Sequence, residues 1–282
     1  MCTRPDAQGR LAGPHAERAE EGLPPETAAF YRAMIEALRS VDVPFLVGGA
    51  YAFARYTGIE RHTKDFDIFV RAEDVNRVMA TLAGAGCATE LTFPHWLGKA
   101  YCGSDFIDVI FRSANGLAAV DEDWFAHAVE DEVLGLPVRL IPREEMLWSK
   151  AFVMERERYD GADVNHLLRA AATDLDWRRV LRRFGEHWPV LLSHLVLFGY
   201  VYPAEARKLP RWVMRDLLGR AEADLNAPAA EERVCRGSLI SGTQYLIDIQ
   251  EWGYRDARLH SSGGPMTGDE VREWTEALDQ DG

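Results

Sequence analysis

Three acidic residues stand in runs of sequence that are otherwise apolar. Asp65 and Asp67 flank Phe66 in the run DFDIFV, and Asp108 lies in the middle of the run FIDVIF. Because successive side chains of a strand point to opposite faces, the D-x-D pair places both carboxylates on one face. Such carboxylates are costly unless a positive charge lies between them. They predict a site for Mg²⁺ (or Mn²⁺), a hard cation that binds carboxylate oxygens together with substrate phosphates.

A neighbouring acid, Asp105, competes with Asp108 for the third position. It lies at the expected start of the strand, beside Gly103-Ser104, where the role of a turn residue suits it. Asp108 has Ile107 and Val109 on either side, so its face of the strand is not simply solvated. We therefore favour Asp108.

Two glycines, Gly48 and Gly49, separate the apolar run Val43–Val47 from a helix-permissive stretch. Glycine permits a tight turn and lets backbone N–H groups approach a phosphate, and the N-terminus of the following helix adds a favourable dipole. A Gly-Gly pair alone is usually only a turn. Its position before the D-x-D pair indicates a phosphate-binding loop.

The order of Gly-Gly, D-x-D and a later strand Asp resembles the DNA polymerase beta-like nucleotidyltransferase superfamily. The run RHTKDFD, which contains Arg61 and Thr63, resembles the R-x-[ST]-x-D-x-D arrangement of abortive-infection-type (AbiEii toxin-like) nucleotidyltransferases and their uncharacterised bacterial relatives. Residues 141–169 resemble the segment after the catalytic core of that group. One departure is Ala50, which lacks the hydroxyl often found after the glycines, so phosphate contacts of this loop would come from the backbone.

The resemblance implies a minimal nucleotidyltransferase fold of the α/β (α+β) class, with a short mixed sheet flanked by helices and followed by a helical C-terminal region. It also implies an enzyme that moves a nucleoside monophosphate from an NTP, such as ATP, to an acceptor and releases pyrophosphate. Asp65 and Asp67 would hold both metals, and Asp108 the acceptor-side metal. The residues expected to bind the triphosphate are Gly48, Gly49, Arg61 and Lys150.

Two of these assignments have open alternatives. Arg61 either meets the triphosphate or pairs with a core acid, and Lys150 either contacts a phosphate or is an ordinary exposed lysine. The run WRRVLRR (177–183) places two pairs of arginines at helical i, i+4 spacing. They either contact an RNA backbone or pair with neighbouring acids.

The acceptor is also open: tRNA, a protein, or a small molecule of the aminoglycoside kind. If the protein is toxin-like, an antitoxin would be a further partner.

The alternative to an enzyme is a catalytically weak or inactive nucleotide-binding module with the same fold. A weaker one is a structural protein whose buried acids are satisfied by arginines.

The composition of the 282-residue chain, together with the residues that start and end its expected helices and strands, predicts how the chain is organised. We expect a disordered tail (1–23), a nucleotidyltransferase core (24–142), a helical domain (143–260) and a flexible tail (261–282). The net charge of −13 argues against non-specific coating of nucleic acid. Four scattered cysteines, no signal-peptide pattern and no apolar run long enough for a bilayer predict a cytoplasmic protein without a membrane partner. The resemblance to bacterial nucleotidyltransferases implies a bacterial source.

Overall fold

The computed structural model describes residues 23–61, 65–228 and 232–281, of which 279–281 are described in backbone only. It divides into two compact units. The first contains the described residues up to Ala114 together with Ala119–Pro142, and the second contains Asn115–Ala118 and the residues from Arg143 onward. The predicted N-terminal tail, apart from Leu23, and Thr63 of the R-x-[ST] motif lie outside the described residues.

Strands and helices alternate in the described part of the first unit. Its strands are β1 (Leu46–Val47), β2 (Asp65–Phe69), β3 (Ala88–Phe93), β4 (Leu97–Cys102), β5 (Asp105–Ile110), β6 (Val129–Val133) and β7 (Leu136–Leu140). Its helices are α1 (Pro25–Ser40), α2 (Gly49–Thr57), α3 (Val75–Gly84) and α4 (Glu122–Ala126).

These strands form one mixed sheet in the order β3-β4-β5-β2-β1-β7-β6. The β2–β5 and β1–β7 pairs are parallel, and the other neighbouring pairs are antiparallel. The predicted α/β class, with a mixed sheet flanked by helices, is therefore confirmed.

In strand β2, Phe66 and Ile68 point to one face of the sheet, and Asp65 and Asp67 point to the other face together with Phe69. Phe66 and Ile68 are fully buried, whereas Asp65 and Asp67 are partly exposed. The ring of Tyr31, from α1, stacks on Phe66 with centroids 5.0 Å apart. Burying a side chain of this kind contributes roughly 1.5–3 kcal/mol to folding, so the apolar face fixes which way the acids point.

Helices predominate in the described residues of the second unit. They are α5 (Arg143–Ala151), α6 (Gly161–Ala171), α7 (Trp177–Phe184), α8 (Trp188–Val201), α9 (Arg211–Asn226), α10 (Leu246–Gln250) and α11 (Gly268–Asp281). Two short strands, β8 (Val234–Cys235) and β9 (Arg255–Asp256), pair in parallel. None of the helices in the described ranges has both the length and the apolar character needed to span a membrane.

Buried ion pairs join α5 to α7. Arg183 Nε lies 3.0 Å from the fully buried Glu145, and Arg179 pairs with Glu144. Of the two readings of the arginine-rich run, pairing with acids therefore applies to Arg179 and Arg183.

The sequence predicts one helix over Glu144–Tyr159, because apolar residues recur there at helical spacing, but the structure differs. The helix ends at Ala151, and the next residues hydrogen-bond elsewhere: Met154 N donates to the carbonyl of Ile240 (3.0 Å). Glu155 accepts a hydrogen bond from Gly242 N at 2.6 Å. Met154 N is thus satisfied outside a helix, and the Glu155 side chain satisfies a backbone donor at Gly242.

The sequence DEDWFAHAVED (121–131) predicts a short acidic helix, but the structure divides it between a helix and a strand. Asp121 caps the short α4 by accepting from Asp123 N (3.0 Å), and α4 buries Trp124. The chain then enters β6, where Glu130 and Glu132 are exposed and Val133 is buried against the sheet. The strand was hard to recognise from the sequence because Asp131, which points to the less exposed side and pairs with Arg55, interrupts the apolar alternation between Val129 and Val133.

The expected flexible tail (261–282) contains a helix, α11, which is a correction. Thr267 N donates to the Glu270 carboxylate (2.7 Å), and Glu270 N donates to Thr267 Oγ1 (3.3 Å). This reciprocal pair is a capping box, which satisfies backbone donors at the start of a helix. The T-x-x-E spacing was present in the sequence, but the polar composition of the segment concealed it.

Candidate active site

The three predicted acids lie together on one face of the sheet. Strands β2 and β5 run in parallel with Asp67 opposite Asp108, and Asp65 lies two residues before Asp67 on the same face. One carboxylate oxygen from each residue can be chosen so that all three lie within 4.8 Å of one another. Among the described residues, this is the group of three potential ligands close enough to hold a metal ion.

The carboxylates create a strongly negative field at this face. Burial raises the pKa of Asp108; the nearby Lys99 ammonium lowers it, Asp65 raises it, and the net change is upward. Burial also raises the pKa of the Tyr31 hydroxyl, and the charges of nearby carboxylates, including Asp65 and Asp67, raise it further. Burial is the largest cause of both shifts, and neighbouring carboxylates add to them through their negative charge, which also attracts a cation.

The alternative third acid, Asp105, has a structural partner. Thr27 Oγ1, from α1, donates a hydrogen bond to Asp105 Oδ1 at 3.0 Å. Asp105 is the first residue of β5 and follows a two-residue turn. The structure therefore gives Asp105 the place at the strand start that the sequence indicated.

Lys99 lies at this site and was not identified from the sequence. It stands opposite Asp108 in the antiparallel β4–β5 pair, with Nζ 2.8 Å from Asp108 Oδ1. The same ammonium lies 4.3 Å from the centroid of the Phe106 ring, a cation–π distance.

A signal for Lys99 was present in the turn between its strand and the next. Cys102 pairs with Asp105 across a two-residue turn in which Gly103 has φ +64°. A Gly-Ser turn of this length fixes the register of a hairpin, and pairing three further steps back from the turn brings Lys99 opposite Asp108.

The glycine pair lies directly against Asp67. Gly48 N donates to the carbonyl of Asp67 (3.0 Å), and α2 begins at Gly49. Gly49 has φ +53°, and a Cβ placed on it would overlap with Oδ2 of Asp67. A Cβ on Gly48 would overlap with the ring of Phe69. Glycine is therefore required at both positions by close approach, and at Gly49 also by backbone conformation.

Helix α2 is held firmly at its other end. Arg55 Nε donates to Asp131 Oδ2 on β6 (2.8 Å), and both side chains are buried. Tyr56 Oη donates to the carbonyl of Ile141 at 2.7 Å. These contacts fix the direction of α2, and hence the position of its N-terminal N–H groups beside Asp67.

The other two predicted triphosphate ligands lie apart in the sequence and are held by different groups. The exposed Arg61 guanidinium lies 4.7 Å from the centroid of Phe53, in α2. In the second unit, Lys150 Nζ donates to Asp160 Oδ2 (3.0 Å) and Asp163 Oδ2 (2.7 Å). Lys150 is thus not an ordinary solvated lysine, and phosphate binding by either residue remains a prediction.

The donor set of the triad fits a hard divalent cation. It consists of three carboxylates, which suit Mg²⁺ or Mn²⁺ and not a soft metal. An Asp67 carboxylate oxygen occupies the space that a Cβ would take at Gly49.

The family of aminoglycoside-2''-adenylyltransferases provides the relevant sequence comparison. Its model matches residues 31–97 of this chain. The matched segment runs from Tyr31 through the glycine pair and the D-x-D pair, and it ends before Lys99 and Asp108. No curated protein matches the chain in sequence.

Solved structures of nucleotidyltransferases show limited similarity. The antibiotic-resistance factor ANT(2'')-Ia has 18% identity over 61% of this chain and 98% of its own, with a TM-score of 0.42. The lincosamide antibiotic adenylyltransferase LnuA, in its lincomycin-bound form, has 17% identity over 52% and 98%, with a TM-score of 0.38. A putative nucleotidyltransferase from Thermotoga maritima has 14% identity over 44% and 83%, with a TM-score of 0.34. At these TM-scores, nothing about this chain follows from the likeness.

The family match confirms, for the segment it spans, the prediction of a nucleotidyltransferase enzyme. It does not single out the abortive-infection-type group as the nearest relative. The matched family is named for aminoglycosides. Small molecules of that kind were one of the three acceptor classes left open by the sequence.

Proposed function

We propose that the chain is a divalent-metal-dependent nucleotidyltransferase whose first unit carries the reaction. The observation that supports this most strongly is the convergence of Asp65, Asp67 and Asp108 within 4.8 Å. The glycine turn that begins α2 lies against this cluster, as expected of a site that binds both metal and phosphate. The family match covers the glycines and the first two acids.

In this proposal, Asp65 and Asp67 hold both divalent cations, and Asp108 holds the one on the acceptor side. When bound, Mg²⁺ or Mn²⁺ supplies positive charge to the triphosphate and lowers the pKa of the acceptor hydroxyl. The oxygen of that hydroxyl forms a bond to the α-phosphorus. The bond from the α-phosphorus to the oxygen shared with the β-phosphate breaks and pyrophosphate leaves, while the hydroxyl proton passes to the Asp108 carboxylate, which acts as general base.

The residues proposed for the triphosphate act through backbone and charge. Gly48 and Gly49 form the turn that opens α2. The Gly48 N–H already donates to the carbonyl of Asp67, so the proposed donors to phosphate are the N–H groups of the first turn of α2 from Gly49 onward, and Ala50 adds no hydroxyl. Arg61 is exposed at the end of the segment that follows α2. Lys150 stays a predicted phosphate ligand; it belongs to the second unit, where its ammonium pairs with Asp160 and Asp163.

The acceptor that these observations favour is a hydroxylated, positively charged small molecule of the aminoglycoside class. The name of the matched family specifies aminoglycosides, which are such molecules. A chain with a net charge of −13 also attracts polycations. Transfer to tRNA or to a protein, as in a toxin paired with an antitoxin, would use the same reaction with a different acceptor.

A second candidate is a module that binds nucleotide but catalyses no transfer. The ion pair between Lys99 and Asp108 supports it, because a protein cation already offsets one of the three acids. Nucleotide affinity that persists without a divalent metal would distinguish this module from the enzyme.

A transfer assay tests the proposed function. Purified protein is incubated with α-labelled ATP, GTP, CTP or UTP, Mg²⁺ or Mn²⁺, and separate panels of aminoglycosides, RNA and proteins. We expect label in the aminoglycoside panel, only with metal, and no label with the Asp65→Asn/Asp67→Asn variant. Label in the RNA or protein panel would overturn the acceptor class but not the reaction. Nucleotide binding that needs no metal, without any transfer of label, would favour the nucleotide-binding module.

A further inference from the structure

Lys99 occupies a place in the candidate site that a charge-neutral side chain could also fill. It follows Leu97 and Gly98 on β4, and its side chain is 20% exposed, against 13% for Asp108. Its ammonium lies 4.3 Å from the centroid of the Phe106 ring, on the strand that carries Asp108. The lysine is therefore held between an aromatic face and a carboxylate and does not extend freely into solvent.

The position has an electrostatic consequence for the triad. Three carboxylates on one sheet face repel one another, and a partly buried ammonium 2.8 Å from Asp108 offsets part of that repulsion. A divalent cation bound by the same three carboxylates would offset it too. The Lys99 ammonium and the bound metal would then lie a few ångströms apart, where the repulsion between them is large.

We propose that Lys99 is a positioning residue that serves as an internal counter-ion for Asp108 and opposes binding of a divalent cation at the triad. The inference rests on the proposed function, because it assumes that the triad binds such a cation. In the metal-free protein, Lys99 holds the Asp108 carboxylate in place. When a metal binds, the ammonium gives up part of its contact with Asp108, so the affinity for the metal is set partly by Lys99.

Two effects follow from this arrangement, and they have opposite signs. Removing the charge at position 99 leaves Asp108 uncompensated in the metal-free protein, so its melting temperature falls. The same change removes the charge that repels a metal, so metal affinity rises. A merely structural lysine would lower stability without raising metal affinity.

The test measures Mn²⁺ binding, without nucleotide, by calorimetry on the full chain. The charge-removing variants are Lys99→Met and Lys99→Gln, and Lys99→Arg keeps the charge as the matched control. Melting temperatures of all proteins are measured in chelator and in excess Mn²⁺. The same substitution of Lys99 is repeated in an Asp108→Asn background, so that the coupling between the two positions is measured directly.

We expect both charge-removing variants to bind Mn²⁺ roughly tenfold more tightly than the wild type, since a unit charge a few ångströms away is worth at least one decade in affinity. Their melting temperature in chelator should fall by roughly 2–6 °C and recover in Mn²⁺. Lys99→Arg should resemble the wild type. In the Asp108→Asn background, the gain in affinity should disappear.

Equal or weaker Mn²⁺ binding by both Lys99→Met and Lys99→Gln would overturn the role of Lys99. Asp67→Asn is measured alongside, and if it abolishes Mn²⁺ binding, the proposed metal site stands without this inference. No Mn²⁺ binding by any of the proteins would overturn the inference, and the transfer assay, in which nucleotide is present, decides the metal-dependent function separately.

Discussion

Gly49 is the position in the candidate site where the backbone leaves the least choice of residue. Its φ of +53° is unfavourable for any residue with a Cβ, and the Asp67 carboxylate occupies the space that a Cβ needs. An alanine at this position must therefore displace either the turn or a proposed metal ligand.

Gly49→Ala should lower the free energy of unfolding by about 2 kcal/mol or more, because left-handed strain and steric overlap add. Urea denaturation followed by circular dichroism measures the change. Gly84→Ala is the matched control in the same unit, because a Cβ there would meet open space and no left-handed φ is imposed. A loss at Gly49 no larger than at Gly84 would contradict the close approach to Asp67.

The charge of Asp108 also has a consequence for stability that depends on pH. Its pKa in the folded protein is raised above the ordinary value of 3.8, chiefly by burial. The native state therefore binds this proton more tightly than the unfolded state does. The stabilisation by the proton is fully present below pH 3.8 and is lost as the pH rises through the folded pKa.

Asp108→Asn removes this titration and keeps the shape of the side chain. In metal-free buffer, the unfolding free energy of the variant minus that of the wild type should become more positive between about pH 4 and pH 7. Urea denaturation at several pH values provides the measurement. A difference that is constant, or that falls as the pH rises, would show that burial does not control the charge of Asp108.

At the scale of elements, the α5–α7 pair shows how buried charge is satisfied in the second unit. Glu145 is fully buried and lies within ion-pair distance of Arg183 and Arg179, and Arg179 also binds Glu144. Burial raises the pKa of Glu145 despite these arginines. Removing one partner would leave an uncompensated buried charge.

Arg179→Met should therefore lower the unfolding free energy by about 3–5 kcal/mol. Its neighbour Arg178, exposed on the same helix, offers a matched control: Arg178→Met should change stability by no more than about 0.5 kcal/mol. Thermal and urea unfolding of both variants give the comparison. Similar costs for the two substitutions would mean that the buried pairs are not what joins α5 to α7.

The sequence was sufficient for the strands that carry the acids. Alternation in DFDIFV set the common face of Asp65 and Asp67, and the apolar neighbours of Asp108 marked a second buried strand. The parallel pairing of these strands is a long-range contact that no local pattern specifies, so the 4.8 Å cluster itself required the structure.

Other elements were missed because composition outweighed spacing. The acidic residues of β6 concealed its period of two, and the polar residues around α11 concealed its capping box. Lys99 was overlooked because its partner lies across a hairpin, although the Gly-Ser turn was sufficient to fix the register. Local turn chemistry was thus more informative than the overall polarity of a segment.

For the whole molecule, charge and fold bear on the choice of acceptor. The chain carries a net charge of −13, and two of the four arginines of its most basic helix, Arg179 and Arg183, are engaged by buried glutamates. This distribution is typical of a protein that attracts cations and provides little support for an RNA acceptor. The match to an aminoglycoside adenylyltransferase family favours the same choice.

The central claim is that the triad, and not acidity in general, supports nucleotidyl transfer. The most direct test compares Asp67→Asn with Asp105→Asn, because Asp105 lies on the same pair of strands but binds Thr27. The rate measured is metal-dependent transfer from an α-labelled NTP to the aminoglycoside panel. We expect Asp67→Asn to lose roughly 10³-fold or more, and Asp105→Asn to stay within about threefold of the wild type. Equal rates for the two variants, or transfer that survives Asp67→Asn, would contradict the assignment of the active site.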